Sequence, residues 1–263
     1  MKNFSKIVWG LALIVLIVLI SMIGYGYYKN ATMEVKRPIA TMEVEGFGTV
    51  KMELYPEYAK ETVANFVTLS NRGFYDGKTF HRIVKDFMIQ GGDKKGDGTG
   101  SASISDLRDL KEGETDRDYT IKGEFKANKV ENKLKFEEGI LAMARSDYSQ
   151  YAPSLKEESY NSGSSQFFIM TKENSSLNGN YTAFGKVIEG LDVVHKIEEV
   201  EVKSKTDENG ENKSSASEVS TPVNPPVIKS IRVETEGIDY GLPKTLEPFD
   251  YNSWMNKQYG IGS

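Results

Sequence analysis

Apolar and polar side chains alternate from residue 40 to residue 54. Ala40, Met42 and Val44 interleave with Thr41, Glu43 and Glu45; Val50, Met52 and Leu54 interleave with Lys51 and Glu53. Glu45-Gly46-Phe47-Gly48 separates the two runs, so the pattern predicts a β-hairpin with one buried face. The period then changes. Ala59, Val63, Phe66 and Val67 form one helical stripe, with Glu57 and Glu61 in its expected first turn, where the helix dipole favours carboxylates. Gly73 follows, placed for a left-handed helix terminus. Residues 80–84 and 87–90 read as two short strands, and the glycine-, serine- and charge-rich stretch 92–113 as a long surface loop. Residues 139–144, 166–171, 183–187 and 227–233 are further strands, and 191–200 a second helix with Leu191, Val194 and Ile197 inward. Residues 201–221 are polar and low in complexity, which predicts a disordered or mobile excursion. The tail 236–263 has no clear period, and its pattern leaves open whether it packs on the domain. Many short strands, two helices and glycine turns predict a mainly β domain, an antiparallel barrel with helical caps.

The N-terminal pattern is of another kind. Residues 7–23 are apolar except at Gly10 and Ser21, long enough for a spanning helix of roughly 20 residues. Trp9 at one end and Tyr25, Tyr27 and Tyr28 at the other suit interfacial belts, and Lys2 and Lys6 precede the run. We therefore expect a transmembrane anchor with its N-terminus in the cytoplasm and the domain outside. Lys29, Lys36 and Arg37 on the far side weigh against that orientation. The alternative is a cleaved signal peptide, whose apolar core is about 7–15 residues and which ends in a small-residue site. This run is longer, and Tyr27-Tyr28-Lys29-Asn30-Ala31 is a poor site.

Composition narrows the chemistry. The formal charge is −5, and the first thirty residues carry three lysines and no acid, so the remainder is more acidic still. That balance argues against nucleic-acid binding, which needs a basic face. The chain has no cysteine, which excludes disulfides, thiol catalysis and cysteine-ligated metals. Only His81 and His195 remain as histidines, so a multi-histidine metal centre is not expected. Neither a metal nor a cofactor is predicted. The glycine-rich run 91–100 lacks the Gly-Lys-Ser/Thr ending of a phosphate loop, and Ile104 stands where a calcium loop needs its closing glutamate.

Residues 80–93 carry the most information: Phe-His-Arg-Ile-Val-Lys-Asp-Phe-Met-Ile-Gln-Gly-Gly-Asp. A cation and an amide stand among apolar side chains, a mixture suited to a small apolar group on a peptide backbone. The order resembles the signature of the cyclophilins, the peptidyl-prolyl isomerases. Gly139-Ile140-Leu141-Ala142-Met143-Ala144 resembles that family's backbone-clamp segment, and Ser165-Gln166-Phe167-Phe168-Ile169 its Ser-Gln-Phe-Phe strand. Residues 177–187 resemble its Leu-Asp-Gly segment ending in Phe-Gly-x-Val, and residues 226–231 its closing strand. The five blocks occur in family order.

The resemblance implies a closed eight-stranded antiparallel β-barrel capped by two α-helices, with a peptide groove on its outer face. The division is then 1–30 anchor, 31–37 linker, 38–235 isomerase-like domain and 236–263 tail, with insertions near 93–118, 146–163 and 201–224. Arg82 matches the catalytic arginine, with Gln90 beside it either orienting Arg82 or bonding a peptide carbonyl. Phe87, Met88, Phe168 and Leu177 match the proline pocket, Gln166 its polar edge, Ala144 and Arg145 the backbone clamp, and Phe184 a deeper aromatic position. Tyr181 stands where many eukaryotic members have histidine, Ser176 where they have tryptophan, and Arg145 where they have asparagine. Parity agrees in part, since Met88 and Gln90 share one strand face and Gln166 and Phe168 another. It does not decide which face is inside, so core roles for Leu177 and Phe184 stay open. His81 alternates away from Arg82 and reads as structural; His195 reads as a solvated helix residue. The expected partners are proline-containing polypeptides and, through the N-terminal helix, the membrane. The function the resemblance implies is a prolyl isomerase acting on X–Pro bonds of exported proteins at the membrane surface; a non-catalytic proline-peptide-binding module or holdase chaperone using the same groove is the competing function.

Overall fold

The computed structural model describes residues 13–22, 24, 37–203 and 220–260. The chain divides into two compact units, Met1–Lys36 and Arg37–Ser263. In the first unit, residues 13–22 are helical with exposed apolar side chains. Much of the expected anchor, residues 7–12 and 23, lies outside the described residues. Among the described residues no helix is long and apolar enough to cross a membrane.

The second unit is built on one antiparallel sheet. Its strands are β1 (Ile39–Val44), β2 (Gly48–Leu54), β3 (Phe80–Val84), β4 (Met88–Gly91), β6 (Ile140–Met143), β7 (Phe167–Met170), β8 (Ala183–Glu189) and β9 (Ile228–Glu234). They are ordered β3-β4-β7-β6-β8-β2-β1-β9. The hairpin forms as its pattern predicts, with Ala40 opposite Met52 and Met42 opposite Val50, all four fully buried.

The expected closure does not occur: the sheet is curled but open between β3 and β9. Just before the two strands Thr79 bridges Val227, with the Phe80 N–H donating to the Pro226 carbonyl at 2.9 Å, the Ile228 N–H to the Lys78 carbonyl at 2.7 Å and the Gly77 N–H to the Ile228 carbonyl at 2.8 Å. Pro225 and Pro226 lead into β9 without N–H groups, so a continuous ladder cannot run through them.

One sheet face encloses the main core, where Phe66, Phe80, Phe167 and Phe184 are fully buried. The helix Lys60–Asn71 covers it with Val63, Phe66 and Leu69. This helix has no side-chain cap of its own. Glu124 supplies one from elsewhere in the chain, accepting the Glu61 and Thr62 N–H groups at 3.0 and 2.8 Å and the Thr62 hydroxyl at 2.7 Å. Glu57 precedes the helix and pairs with Arg37 at 2.7 Å. Gly73 takes the left-handed conformation expected after the last turn, with φ +76°. The second helix, Leu191–Glu198, buries Val193, Val194 and Ile197.

The stretch 92–113 is not simply a surface loop. Ala102, Ile104 and Leu107 are buried, and Ser103 and Asp106 form a capping box on the short helix Ile104–Leu107. Periodicity missed it because the helix has only four residues. The tail packs on the domain: β10 (Thr245–Leu246) pairs with β5 (Thr120–Ile121), and a helix follows at Tyr251–Tyr259. Within the stretch expected to be disordered, Val202 bridges Pro222; residues 204–219 lie outside the described residues.

Candidate active site

The outer face of β4, β6 and β7 carries a second apolar cluster. Met88, Phe136, Ala142, Phe168 and Met170 are buried in it, with Phe87, Leu177 and Tyr181 packed against them. The register brings the elements together: Gln90 lies opposite Phe168, Phe168 opposite Ala142, and Arg82 opposite Gln90. A cavity of about 160 Å³ opens here. Phe87, Met88, Phe168, Leu177 and Tyr181 form its apolar walls, and Arg82, Gln90, Ala144 and Arg145 its remaining lining. Among the described residues, no carboxylate, histidine or lysine lines it.

The β3–β4 turn places two of these walls. Asp86 adopts φ +58°, and the Phe87 carbonyl accepts the Thr171 N–H at 3.0 Å. Glu198, at the end of the second helix, accepts the Asp86 N–H at 2.7 Å and a short hydrogen bond from the Thr171 hydroxyl. The Phe168 ring stacks on Phe136 at 6.1 Å and meets Tyr181 edge-on at 5.9 Å, so aromatic contacts fix the pocket wall from both sides.

Polar groups run across the mouth. The Arg82 Nη1 donates to Gln90 Oε1 at 3.2 Å and lies 3.7 Å from the Met88 sulfur. Gln90 Nε2 donates to Gln166 Oε1 at 2.9 Å, and Gln166 Nε2 donates to the carbonyls of Gly98 and Gly100 at 3.1 and 2.9 Å. Buried Asp93 orders that loop by accepting the Asp97 and Gly98 N–H groups at 2.7 and 2.8 Å. Each amide uses its oxygen toward the arginine side and its nitrogen toward the loop, so the guanidinium is held by a directional relay. Arg145 stands opposite, its guanidinium 4.4 Å from the Tyr181 ring centre and 5.5 Å from that of Tyr160, with Nε donating to the Asn180 carbonyl at 3.2 Å.

Ten of the eleven expected residues are thus assembled: nine line the cavity, and Gln166 joins through Gln90. Phe184 is not. It is fully buried on the other sheet face, 5.2 Å from the Phe66 ring, because odd and even residues of a strand face opposite sides. The Ala144 N–H is committed to the Gln166 carbonyl at 2.9 Å. Phe136 and Tyr160 were not foreseen; the alternation Leu134, Phe136 before Gly139 was the available signal for the first. His81 is buried beside the 98–100 loop rather than alternating away from Arg82, because the strand register shifts between Phe80 and Arg82, and burial pushes its pKa down. His195 is not merely solvated. It lies 3.2 Å from Glu198 and 2.9 Å from Glu138, and these hydrogen bonds, Glu198 first, push its pKa up.

A curled eight-stranded antiparallel sheet thus presents an arginine and two amides at the mouth of an apolar pocket. The profile of the cyclophilin type peptidyl-prolyl cis-trans isomerase/CLD family matches residues 39–232, and the chain belongs to that family. Peptidyl-prolyl cis-trans isomerisation is the family's enzyme class. Peptidyl-prolyl cis-trans isomerase B of Bacillus subtilis is 39% identical over 149 residues, 57% of this chain and 82% of that protein. The human peptidyl-prolyl cis-trans isomerase-like 1 is 36% identical over 158 residues, 60% of this chain and 78% of that protein. The match to isomerase 9 of Schizosaccharomyces pombe, at 38% identity, covers 59% of this chain but only 21% of that longer protein. A crystal structure of a Cryptosporidium parvum cyclophilin type isomerase superposes with a TM-score of 0.54 at 26% identity, covering 76% of this chain and 99% of that one. A second structure of that protein was determined in the presence of the dipeptide Ala-Pro and gives a TM-score of 0.53.

Proposed function

We propose that this chain accelerates X–Pro isomerisation in exported polypeptides at a membrane surface, with the prolyl ring in the cavity walled by Phe87, Met88, Phe168, Leu177 and Tyr181. The observation that carries this reading is the Arg82–Gln90 pair at the mouth of an apolar pocket that has no general base. An X–Pro bond needs no proton transfer to isomerise. Its barrier is the loss of amide conjugation, and the uncatalysed step takes tens to hundreds of seconds. As the bond twists, the prolyl nitrogen regains its lone pair and becomes a hydrogen-bond acceptor. The Arg82 guanidinium then gains a bond that neither planar isomer offers it, which is the differential stabilisation catalysis requires. Apolar walls exclude water from that contact and strengthen it. The Ala-Pro dipeptide used with the Cryptosporidium relative supports a proline ligand for this pocket.

The cellular context rests on the sequence. The apolar run 7–23 follows Lys2 and Lys6, which favours an anchor with the isomerase unit outside. Exported chains cross membranes unfolded and set their X–Pro bonds afterwards, and tethering raises enzyme concentration where they emerge. Protease added to intact protoplasts tests this: digestion of the domain with the cytoplasm sealed supports the placement, and protection until lysis refutes it. For the activity, proline-limited refolding of a test protein should accelerate with catalytic amounts of the chain. Binding of a proline peptide without acceleration would make the groove a recognition module.

A further inference from the structure

A basic segment backs the proline pocket. Residues 122–135 hold five lysines and two glutamates, in a chain whose formal charge is −5. One of those glutamates, Glu124, is buried under the first helix, where it accepts the Glu61 and Thr62 N–H groups. From residue 129 the segment alternates. Val130, Asn132, Leu134 and Phe136 are half-buried or buried, and Lys129, Glu131, Lys133 and Lys135 are exposed on the other side. The inward residues belong to the site: Phe136 is buried in the pocket cluster and stacks on Phe168, and Leu134 packs against the same cluster. The lysines therefore form the outer face of the strip behind the pocket.

They border an open groove of about 570 Å³, lined by Lys126, Lys129, Lys133 and Lys135. Glu131 lies 3.5 Å from Lys133. Among the described residues, Lys126, Lys129 and Lys135 have no carboxylate within ion-pair distance. The backbone beneath them is fixed. The Ala127 N–H donates to the Gly179 carbonyl at 2.9 Å, and the Phe136 N–H to Asn178 Oδ1 at 2.9 Å. Asn132 Nδ2 donates to the Glu124 and Ala183 carbonyls at 3.1 and 2.8 Å. Residues 178 and 179 lie between Leu177 and Tyr181, which wall the proline cavity, so groove and cavity share one loop. On the cavity side of that loop the Arg145 guanidinium lies 4.4 Å from the Tyr181 ring centre, so positive charge continues from groove to pocket. Solubility asks for charges of both signs, interspersed. Charge of one sign gathered in a concave site focuses its field on a ligand of the other sign.

We propose that the lysine groove of residues 126–135 is a docking surface for an acidic stretch of the same polypeptide whose proline occupies the first cavity, so that X–Pro bonds flanked by Asp or Glu are preferred. An extended peptide advances about 3.3 Å per residue, so a carboxylate two to five residues from the proline reaches about 7–17 Å from it. Ammonium groups on flexible stems give such a carboxylate charge-assisted hydrogen bonds in more than one register. The surface then selects local charge, not one residue, and speeds encounter as well as holding the complex. An anionic lipid surface is the other partner that lysines fit; the concave shape and the loop shared with the proline cavity favour the peptide. The inference rests on reading the first cavity as the proline site.

The test uses the full-length chain in detergent micelles and X–Pro peptides carrying a Glu pair, a Gln pair or a Lys pair two to five residues before or after the proline. With wild-type protein, at least one Glu peptide should exchange with about fivefold higher kcat/KM than its Lys counterpart, as a few exposed ion pairs supply, and the Gln peptide should lie between them. Raising salt from about 0.05 M to about 0.5 M should bring that ratio within about twofold, because the Debye length falls to about 4 Å. Lys126→Glu, Lys129→Glu and Lys135→Glu in one variant should reverse the preference, which the loss of a packing role could not do. The same three positions changed to Gln should abolish it, with the fold of both variants confirmed by circular dichroism. No acidic preference in wild type, or one that survives in both variants, overturns the proposal. Equal rates on all three peptides, with a wild-type rate that responds to phosphatidylglycerol in the micelles and variant rates that do not, would assign the patch to lipid and likewise overturn it. If wild type accelerates no peptide, the catalytic reading fails on its own. Calorimetric Kd values then decide the docking surface: tighter binding of a Glu peptide, reversed in the Glu variant, supports it, and equal values for wild type refute it.

Discussion

Gln90→Leu separates a positioned arginine from one that merely lies in the groove. The substitution removes the Gln90 oxygen that accepts from Arg82 at 3.2 Å, and with it the link to Gln166 at 2.9 Å. Gln166 stays anchored by the Gly98 and Gly100 carbonyls, so the loop should not move. A hydrogen bond to a charged group is worth about 1.5–3 kcal/mol when buried; Arg82 and Gln90 are half-buried, which places the loss at about 1–1.5 kcal/mol. At about 1.4 kcal/mol per decade, kcat/KM should fall about five- to tenfold. The cost in stability should be small, because leucine gains contact with Phe168 opposite it, and Tm should shift by no more than about 3 °C for a domain of this size. The assay is a double-mutant cycle with Arg82→Ala, reading kcat/KM on an X–Pro peptide. In the Arg82→Ala background, Gln90→Leu should cost less than about twofold, since there is no guanidinium left to hold. Equal costs in both backgrounds would show that Gln90 acts on substrate independently, and wild-type efficiency in the single variant would show that Arg82 needs no support.

Other expected outcomes follow from the same geometry. Glu124→Ala should destabilise the domain by about 2–4 kcal/mol in urea unfolding, since it strips the buried cap from the Glu61 and Thr62 N–H groups; Glu124→Gln should cost less, and equal costs would refute the capping role. The two histidines should oppose each other with pH. The pKa of His195 is raised above 6.5, so its contribution is present in full below pH 6.5 and is lost as pH rises through the raised value; urea midpoints of His195→Gln against wild type should converge on going up in pH. The pKa of His81 is lowered below 6.5 by burial, so the fold loses stability as pH falls from 6.5 through the lowered value, and His81→Leu should remove that loss; a dependence of the opposite sign would contradict its buried, neutral state.

The sheet was legible because its strands bury one face and alternate cleanly, as at Ala40, Met42 and Val44. The site was legible through ordered motif blocks, which carried Arg82, Gln90 and Phe168 to the groove together. Periodicity alone could not assign Phe184, because both faces of this sheet are apolar: one packs the core and the other lines the pocket. Closure fails at Pro225 and Pro226, whose missing N–H groups leave no mark on the apolar alternation of the strand that follows them. The tail was opaque for another reason. Its position depends on rings at 148, 151, 249, 251 and 254 meeting across about a hundred residues of chain, and no local period encodes such a contact.

Two-dimensional exchange spectroscopy on an X–Pro peptide tests the central claim most directly, because it reads cis/trans interconversion itself with no coupling enzyme. With catalytic amounts of wild-type protein, cross-peaks between the isomers should appear on a timescale of a second or less, where the uncatalysed step takes tens of seconds or more. Arg82→Ala, with its fold intact by circular dichroism, should lower that exchange efficiency at least about tenfold, the equivalent of roughly 1.4 kcal/mol of transition-state stabilisation. Exchange left at the uncatalysed rate by folded wild-type protein, or wild-type exchange by Arg82→Ala, would contradict the account.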